Sequence, residues 1–221
     1  MVYHLYGCNL RCPWCANPEC FASDTKIFDS KPSEIIDEIL RSRPMFFSGG
    51  GVTFTGGEPT LQFDELLTIL KTVKENGINT ALESNASHPR LPELFPYIDH
   101  LMLDIKHPCD ALHNKIVKLG NETIIKNISL AAKTRQTALR IPLINGYNNS
   151  GECIEGFINI ISEFSNEPGF TLELLRYHEY GKVKWQQHGM EYSVENGFIS
   201  DDDFVKICGR FTDVGIKLIK T

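Results

Sequence analysis

Three thiols near the start of the chain carry its most distinctive chemistry. Cys8, Cys12 and Cys15 stand three and two residues apart in the segment Gly7-Cys8-Asn9-Leu10-Arg11-Cys12-Pro13-Trp14-Cys15-Ala16-Asn17-Pro18-Glu19-Cys20. On a tight loop that spacing places three thiolates close enough to ligate one compact metal centre. Structural zinc takes four protein ligands, commonly from two paired motifs. The chain has no second pair, so a zinc knuckle would have to recruit Cys20 or His4. Iron–sulfur clusters are also held by cysteine thiolates. Three thiolates on a four-iron cluster leave one iron without a protein ligand, and an open coordination position is what a catalytic metal needs. Both chemistries fit the loop. Cys20 is extra and is not assigned to a cluster. Cys109, Cys153 and Cys208 lack ligand spacing and read as small buried hydrophobes.

Other stretches carry groups that could grip a ligand. Thr55-Gly56-Gly57-Glu58-Pro59 offers adjacent glycines, which let backbone approach a ligand closely and reach positive φ; the same residues also make an ordinary turn. Met102, Asp104 and Lys106 fall at alternate positions, on one face of a strand. A carboxylate beside an ammonium suits a ligand bearing both opposite charges, such as an amino-acid moiety, and equally suits a structural ion pair. Glu83 and Asn85 stand at the end of the preceding strand. Arg140 and Pro142 share a face of the following one, where Arg140 alone reads as a generic surface or interface arginine. His178 follows a further strand, and a lone histidine there is usually a hydrogen-bonded structural residue. The sequence has no dinucleotide fingerprint, phosphate-loop lysine or nucleophile elbow.

An alternation of strands and helices must position these groups. β-Branched and aromatic runs predict strands over 2–6, 51–55, 78–82, 100–105, 137–144, 171–177 and 216–219. Helical spacing predicts helices over 33–40, 63–76, 121–133, 151–164 and 201–214, with a short one near 91–97. In 63–76, Phe63, Leu66, Leu67, Leu70 and Val73 line one face and Gly77 takes the C′ position. Strand then helix, many times over, is the pattern of a parallel sheet covered by helices. The expectation is a single α/β domain over 1–221, a partial (β/α)6 TIM-like barrel, with a doubly wound open sheet as its rival. Cys8, Gly56, Glu83, Asp104, Arg140 and His178 come from six successive strands. All but Arg140 fall at or just past the C-terminal end, the rim where active sites of parallel barrels assemble.

With 221 residues, 42% hydrophobic and 23% charged, the composition is that of an ordinary globular protein. It excludes disorder, collagen-like repeats and a coiled coil. No apolar run is long enough for a membrane span, and the first residues lack a secretion signal. A net charge of −6 leaves no basic footprint for nucleic acid. Seven cysteines without that signal predict a reducing, cytoplasmic compartment.

Five stretches, in order, resemble one family. Cys8, Cys12 and Cys15, with Trp14 before the last, resemble the cluster motif of radical S-adenosylmethionine (SAM) enzymes. Residues 48–59 (Ser-Gly-Gly-Gly-Val-Thr-Phe-Thr-Gly-Gly-Glu-Pro) resemble the glycine-rich segment of one branch, the glycyl radical enzyme activating enzymes, the pyruvate formate-lyase activating enzyme-like group. Residues 17–19 (Asn-Pro-Glu), 103–106 (Leu-Asp-Ile-Lys) and 176–185 (Arg-Tyr-His-Glu-Tyr-Gly-Lys-Val-Lys-Trp) match as well. The resemblance implies a radical SAM core with a 4Fe–4S cluster on the three cysteines and SAM chelated at the open iron. It implies Gly56 and Gly57 at the SAM amino group with Glu58 beside it, Asp104 and Lys106 on SAM, and Arg140 and Pro142 along the ribose and adenine. Trp14, Ser84 and His178 are further cofactor contacts by the same resemblance. Glu83 and Asp104, with Ser84 and the Met102 carbonyl, would hold a monovalent cation, although many relatives carry aspartate in place of Glu83. Lys182, Lys184 and Trp185 read as loop and docking residues.

The implied reaction is one-electron cleavage of SAM to a 5′-deoxyadenosyl radical. That radical takes a hydrogen atom from a glycine Cα of a partner glycyl radical enzyme. Flavodoxin or ferredoxin is the implied reductant, in anaerobic metabolism. Relatives usually carry a further segment before the first strand, whereas seven residues precede Cys8 here. Residues 21–55 contain no cysteine, so the ferredoxin-like insert of some relatives is missing. The enzyme rival is a radical SAM branch acting on a small molecule, 7-carboxy-7-deazaguanine synthase-like. A zinc-stabilised binding module is the rival from another class.

Overall fold

The computed structural model describes residues 1–47 and 49–219, so Ser48 of the glycine-rich stretch lies outside it. Six strands pair in chain order into one parallel sheet: β1 Val2–Leu5, β2 Gly51–Gly56, β3 Asn79–Ser84, β4 His100–Asp104, β5 Thr137–Leu143 and β6 Phe170–Arg176. The helices are α1 Pro32–Arg41, α2 Phe63–Glu75, α3 Asp110–Val117, α4 Glu122–Thr134, α5 Gly151–Ser162, α6 Lys182–Gln187 and α7 Asp201–Asp213. The strand order decides between the two expected architectures. A doubly wound sheet reverses its order part-way, and this one never does. Right-handed crossovers in one direction place the covering helices on one face, which gives the partial barrel. Strands β1 and β6 do not pair with each other, so the barrel stays open.

Alternation along the strands separates two surfaces. Phe54, Leu82, Leu103, Leu139, Ile141 and Leu172 are buried on the helix side against Leu66 and Leu70 of α2, Ile128 of α4, Phe157 of α5 and Phe211 of α7. At alternate positions Thr55, Glu83, Met102, Asp104, Arg140 and Glu173 are only half-buried. Period two thus sends apolar side chains to the helices and polar ones to the lumen. Helix α2 shows how a covering element is specified. Asp64 and Glu65 sit in its first turn, favoured by the dipole there. Gly77, at φ +70, follows its end. Its buried stripe is Phe63, Leu66, Ile69, Leu70 and Val73; Leu67, expected on it, is half-buried.

Several elements depart from the sequence pattern. Residues 91–97 form a 3-10 helix, because Pro92 and Pro96 supply no backbone N–H. The strand expected over 216–219 reduces to a single bridge between Leu172 and Leu218. Helices α3 and α6 were not anticipated. The first buries only His113 and Val117 and the second buries nothing, so neither shows an apolar stripe. Cys109 is exposed, and Cys153 and Cys208 are half-buried, not core residues. Cys153 Sγ lies 3.3 Å from His107 Nε2. Among the described residues no helix is long and apolar enough to cross a membrane.

The two glycines at the end of β2, Gly56 and Gly57, are required by the chain itself. Gly57 N–H donates to the Leu5 carbonyl at 2.9 Å and Glu58 N–H to the Gly7 carbonyl at 2.7 Å. Gly56 has φ +119, and a Cβ on Gly57 would lie 1.9 Å from the Gly7 oxygen. Gly57→Ala should therefore cost about 1–3 kcal/mol by overpacking. Gly209→Ala, in α7 with nothing within 4 Å, should stabilise by roughly 0.5–1 kcal/mol. Urea denaturation at constant m-value reads both; a neutral Gly57→Ala would contradict the close approach.

Candidate active site

Sheet register brings the lumen's polar groups into contact. Asp104 pairs with Arg140 across β4 and β5, and Glu83 pairs with Met102 across β3 and β4. Arg140 Nε donates to Asp104 Oδ1 at 2.9 Å and its Nη2 to Glu83 Oε2 at 3.2 Å. Thr55 Oγ1 donates to the same Glu83 oxygen at 3.0 Å. Lys106 Nζ, just beyond β4, donates to Asp104 Oδ2 at 3.0 Å. Burial would push the Asp104 carboxyl up, but Lys106 and Arg140 outweigh it and hold it below the usual carboxylate range. Burial would likewise pull Lys106 down, yet Asp104 holds it above the usual lysine value. Arg140, against desolvation, is raised by Asp104 and Glu83. Its side chain is 16% exposed, so it is no surface arginine. Its guanidinium joins the two carboxylates that the resemblance gave to a monovalent cation.

Glu58 is fully buried. Its carboxylate accepts hydrogen bonds from Thr60 N at 3.1 Å, Thr60 Oγ1, Ser84 Oγ at 2.8 Å and Asn85 N at 2.7 Å. It thereby caps the 3-10 turn Pro59–Gln62 and ties it to the end of β3. Burial pushes its carboxyl up, and these donors oppose that shift. Nearby, the amides of Gly57 and Glu58 are engaged by β1 and the residues after it. The Gly57 carbonyl accepts no protein hydrogen bond among the described residues, and an acceptor suits an ammonium.

The cysteine loop leaves β1 through Gly7, whose φ is +96, a conformation that glycine adopts without strain. The three thiols lie within Coulombic reach of one another and of Lys106. Burial pushes Cys12 up to about 12, Cys15 up to about 11, and Cys8 upward too. Each thiolate would raise its neighbours, so three ionised sulfurs are stable here only around a cationic centre. That is the donor set of a metal site. Among the described residues no three His, Cys, Asp or Glu side chains converge tightly enough for a single ion. Three cysteine thiolates are also the donor type that holds an iron–sulfur cluster.

Elements distant in sequence fix this loop. Asn9 Nδ2 donates to Ser87 Oγ at 2.8 Å, and Asn85 Nδ2 donates to Asn9 Oδ1 at 2.8 Å. Arg11 N–H donates to the Val117 carbonyl at 2.9 Å, at the end of α3. The Arg11 guanidinium donates to the Cys8 carbonyl at 2.6 Å. Trp14 is buried with Leu10, Val117, Ile144, Tyr177 and Val194, edge-on to Tyr147 at 5.2 Å. Asn9, Arg11 and the α3 contact escaped the sequence reading, since loop asparagines look like turn formers until their partners are seen. Thr55, Glu83, Asp104, Lys106 and Arg140 are brought together, and Glu58 meets Ser84. His178 is exposed at the rim and stacks on Tyr180 at 4.2 Å, away from the charged row. Cys20 is buried behind the loop with Sγ 4.0 Å from the Leu5 carbonyl oxygen.

Comparison with known proteins places these features in context. The family model of the Radical SAM superfamily matches residues 2–157. The chain is 32% identical over 222 residues to the pyruvate formate-lyase-activating enzyme of Staphylococcus epidermidis, covering 96% of this chain and 88% of that protein. It is 33% identical over 196 residues to the choline trimethylamine-lyase activating enzyme of Oleidesulfovibrio alaskensis, covering 85% of this chain and 63% of that protein. A crystal structure of a domain of pyruvate-formate lyase-activating enzyme from Bacteroides vulgatus superposes with a TM-score of 0.61 at 28% identity. That match covers 77% of this chain and 98% of the other.

Arg140 offers a direct test of the charged row. Arg140→Met leaves the half-buried Glu83 and Asp104 without their shared cation, Asp104 keeping Lys106, which should cost about 1–3 kcal/mol in urea denaturation near neutral pH. Asp104 is held low in the folded wild type, so its contribution is full above the unfolded carboxylate value of about 3.9 and fades as pH falls through the lower folded one. The gap between wild type and variant should therefore narrow below about pH 4. A gap that widens on acidification would contradict this arrangement.

Proposed function

Because this chain belongs to the radical SAM superfamily and, within it, to the activating enzymes of glycyl radical enzymes, we propose that it installs a glycyl radical in a large partner enzyme. The superfamily uses a 4Fe–4S cluster and SAM. In our reading residues 1–221 are one radical SAM domain, with Cys8, Cys12 and Cys15 as the cluster ligands. Once bound, cluster and SAM supply one-electron cleavage of the sulfonium C–S bond, giving methionine and a 5′-deoxyadenosyl radical.

The protein's own residues bind and orient. The observation that carries the reading is the meeting of three half-buried thiols and the Asp104–Lys106–Arg140 row at one rim of the sheet. Lys106, held cationic by Asp104, would bind the carboxylate of the methionyl group, and the Gly57 carbonyl its ammonium. Arg140, already fixed by Asp104 and Glu83, would border the ribose and adenine. Ser84, Glu58 and Trp14 hold the surrounding turns in place. His178, exposed at the rim and stacked on Tyr180, is assigned to the nucleoside by the family motif alone. Arg140 and Lys106 together balance Glu83 and Asp104, so we assign no further cation there.

The unclosed gap between β1 and β6 suits a substrate that enters as a loop of a folded protein. Its glycine Cα supplies the hydrogen atom. Flavodoxin or ferredoxin is the proposed reductant. A reducing cytoplasm is the proposed compartment.

Anaerobic reconstitution, reduction and incubation with SAM and a panel of glycyl radical enzymes tests this reading. Wild-type protein should form 5′-deoxyadenosine and leave a glycyl radical signal in one partner. Cys12→Ala should lose bound iron and both products. SAM cleavage by Cys12→Ala would refute the ligand assignment. Cleavage by the wild type that radicalises no partner, but consumes a small molecule, would refute the partner.

A further inference from the structure

Helix α6 covers a stretch expected as loop and docking surface, and it lies against the cysteine loop. Trp185 Nε1 donates to the Cys15 carbonyl at 2.9 Å. Lys184 Nζ donates to Glu19 Oε1 at 2.6 Å and to Asn17 Oδ1 at 3.2 Å. The Asn17 backbone N–H in turn donates to Cys15 Sγ at 3.4 Å. The approach is close: a Cβ on Gly181 would lie 2.3 Å from the Cys15 carbonyl oxygen and 2.7 Å from Ala16 Cα. The indole of Trp185 meets Phe21 and Tyr192 edge-on at 5.7 and 5.8 Å.

A helix this short is unstable alone in water, and α6 buries no residue in the core. Its position therefore depends on the loop it touches, and the loop's position depends on it. Two of these three hydrogen bonds bear on Cys15. One fixes the carbonyl of that residue. The other fixes the side chain of the residue whose amide points at its sulfur. Hydrogen bonds to a ligating sulfur, and the groups that orient a ligand, govern how firmly a metal centre is held and at what potential it is reduced.

We infer that α6 is a clamp on the third thiolate, with Trp185 and Lys184 as positioning residues that hold Cys15 in its ligating geometry. This rests on the cluster assignment made above. The clamp touches neither the charged row nor the proposed SAM contacts Gly57, Asp104, Lys106 and Arg140, so its effect appears in the cluster before it appears in SAM binding.

The test compares wild type, Trp185→Phe, Lys184→Met and Gly181→Ala after anaerobic reconstitution. Trp185→Phe keeps an aromatic ring and removes only the donor; Gly181→Ala pushes on the Cys15 carbonyl while the donor remains. The readouts are the rate of iron loss to a chelator, the midpoint potential of the cluster, and the melting temperature of the metal-free protein. Each variant should lose iron about tenfold faster than wild type and shift the potential; the metal-free melting temperature should change little in Trp185→Phe and Lys184→Met and fall in Gly181→Ala, whose Cβ must displace backbone. Should Trp185→Phe fail to fold, Lys184→Met carries the same expectation. Iron loss and potential at wild-type values in the folded variants would overturn the clamp. Wild-type protein that takes up no iron would overturn the cluster reading, and this inference with it. Faster iron loss in a protein that activates no glycyl radical enzyme would leave the clamp standing and remove the proposed partner.

Discussion

A loop that must hold three sulfurs in fixed positions, with no strand or helix of its own between Leu5 and Pro18, depends on the rest of the chain for its hydrogen bonds. Buried backbone polar groups need partners, and here they come from every side. The turn after β2 bonds to the carbonyls of Leu5 and Gly7, the end of α3 accepts from Arg11, and α6 donates to Cys15. The β3 turn adds Asn85 on Asn9. The parallel sheet supplies these partners because it brings the C-terminal ends of successive strands to one rim. The loop is thus a product of the fold, and the fold's glycines and buried Glu58 make sense as parts of its support.

The second constraint is electrostatic. A carboxylate buried in the lumen is tolerable because Lys106 and Arg140 flank it. Removing one partner of such a set leaves a buried charge unmatched. Asp104 therefore does two things at once: it keeps Lys106 cationic at neutral pH and fixes where that ammonium points. The lumen face is prepared before any ligand arrives, which reduces the ordering needed on binding.

Much of this was legible in the sequence, and the limits have physical causes. Parallel strands buried under helices leave β-branched and aromatic runs, and period two correctly put Asp104 and Lys106 together opposite Leu103. Arg140 read as a generic arginine because its partners lie on neighbouring strands and only sheet register joins them. Helices α3 and α6 were invisible for want of an apolar stripe; one buries a histidine and a valine, the other is held by the loop. Residues 216–219 have strand composition but engage β6 through Leu172 alone. Adjacent glycines at Gly56 and Gly57 suggest space for a ligand or an ordinary turn; what the structure shows is space for β1 and Gly7. Glu58, expected beside the cofactor, is engaged chiefly by Thr60, Ser84 and Asn85.

The most direct measurement is electron paramagnetic resonance of the reduced, anaerobically reconstituted protein, recorded without and with SAM. An iron that lacks a protein ligand must change its coordination when SAM binds, so the cluster signal should shift on addition. A spectrum indifferent to SAM, or a colourless zinc protein with no cluster signal, would contradict the account.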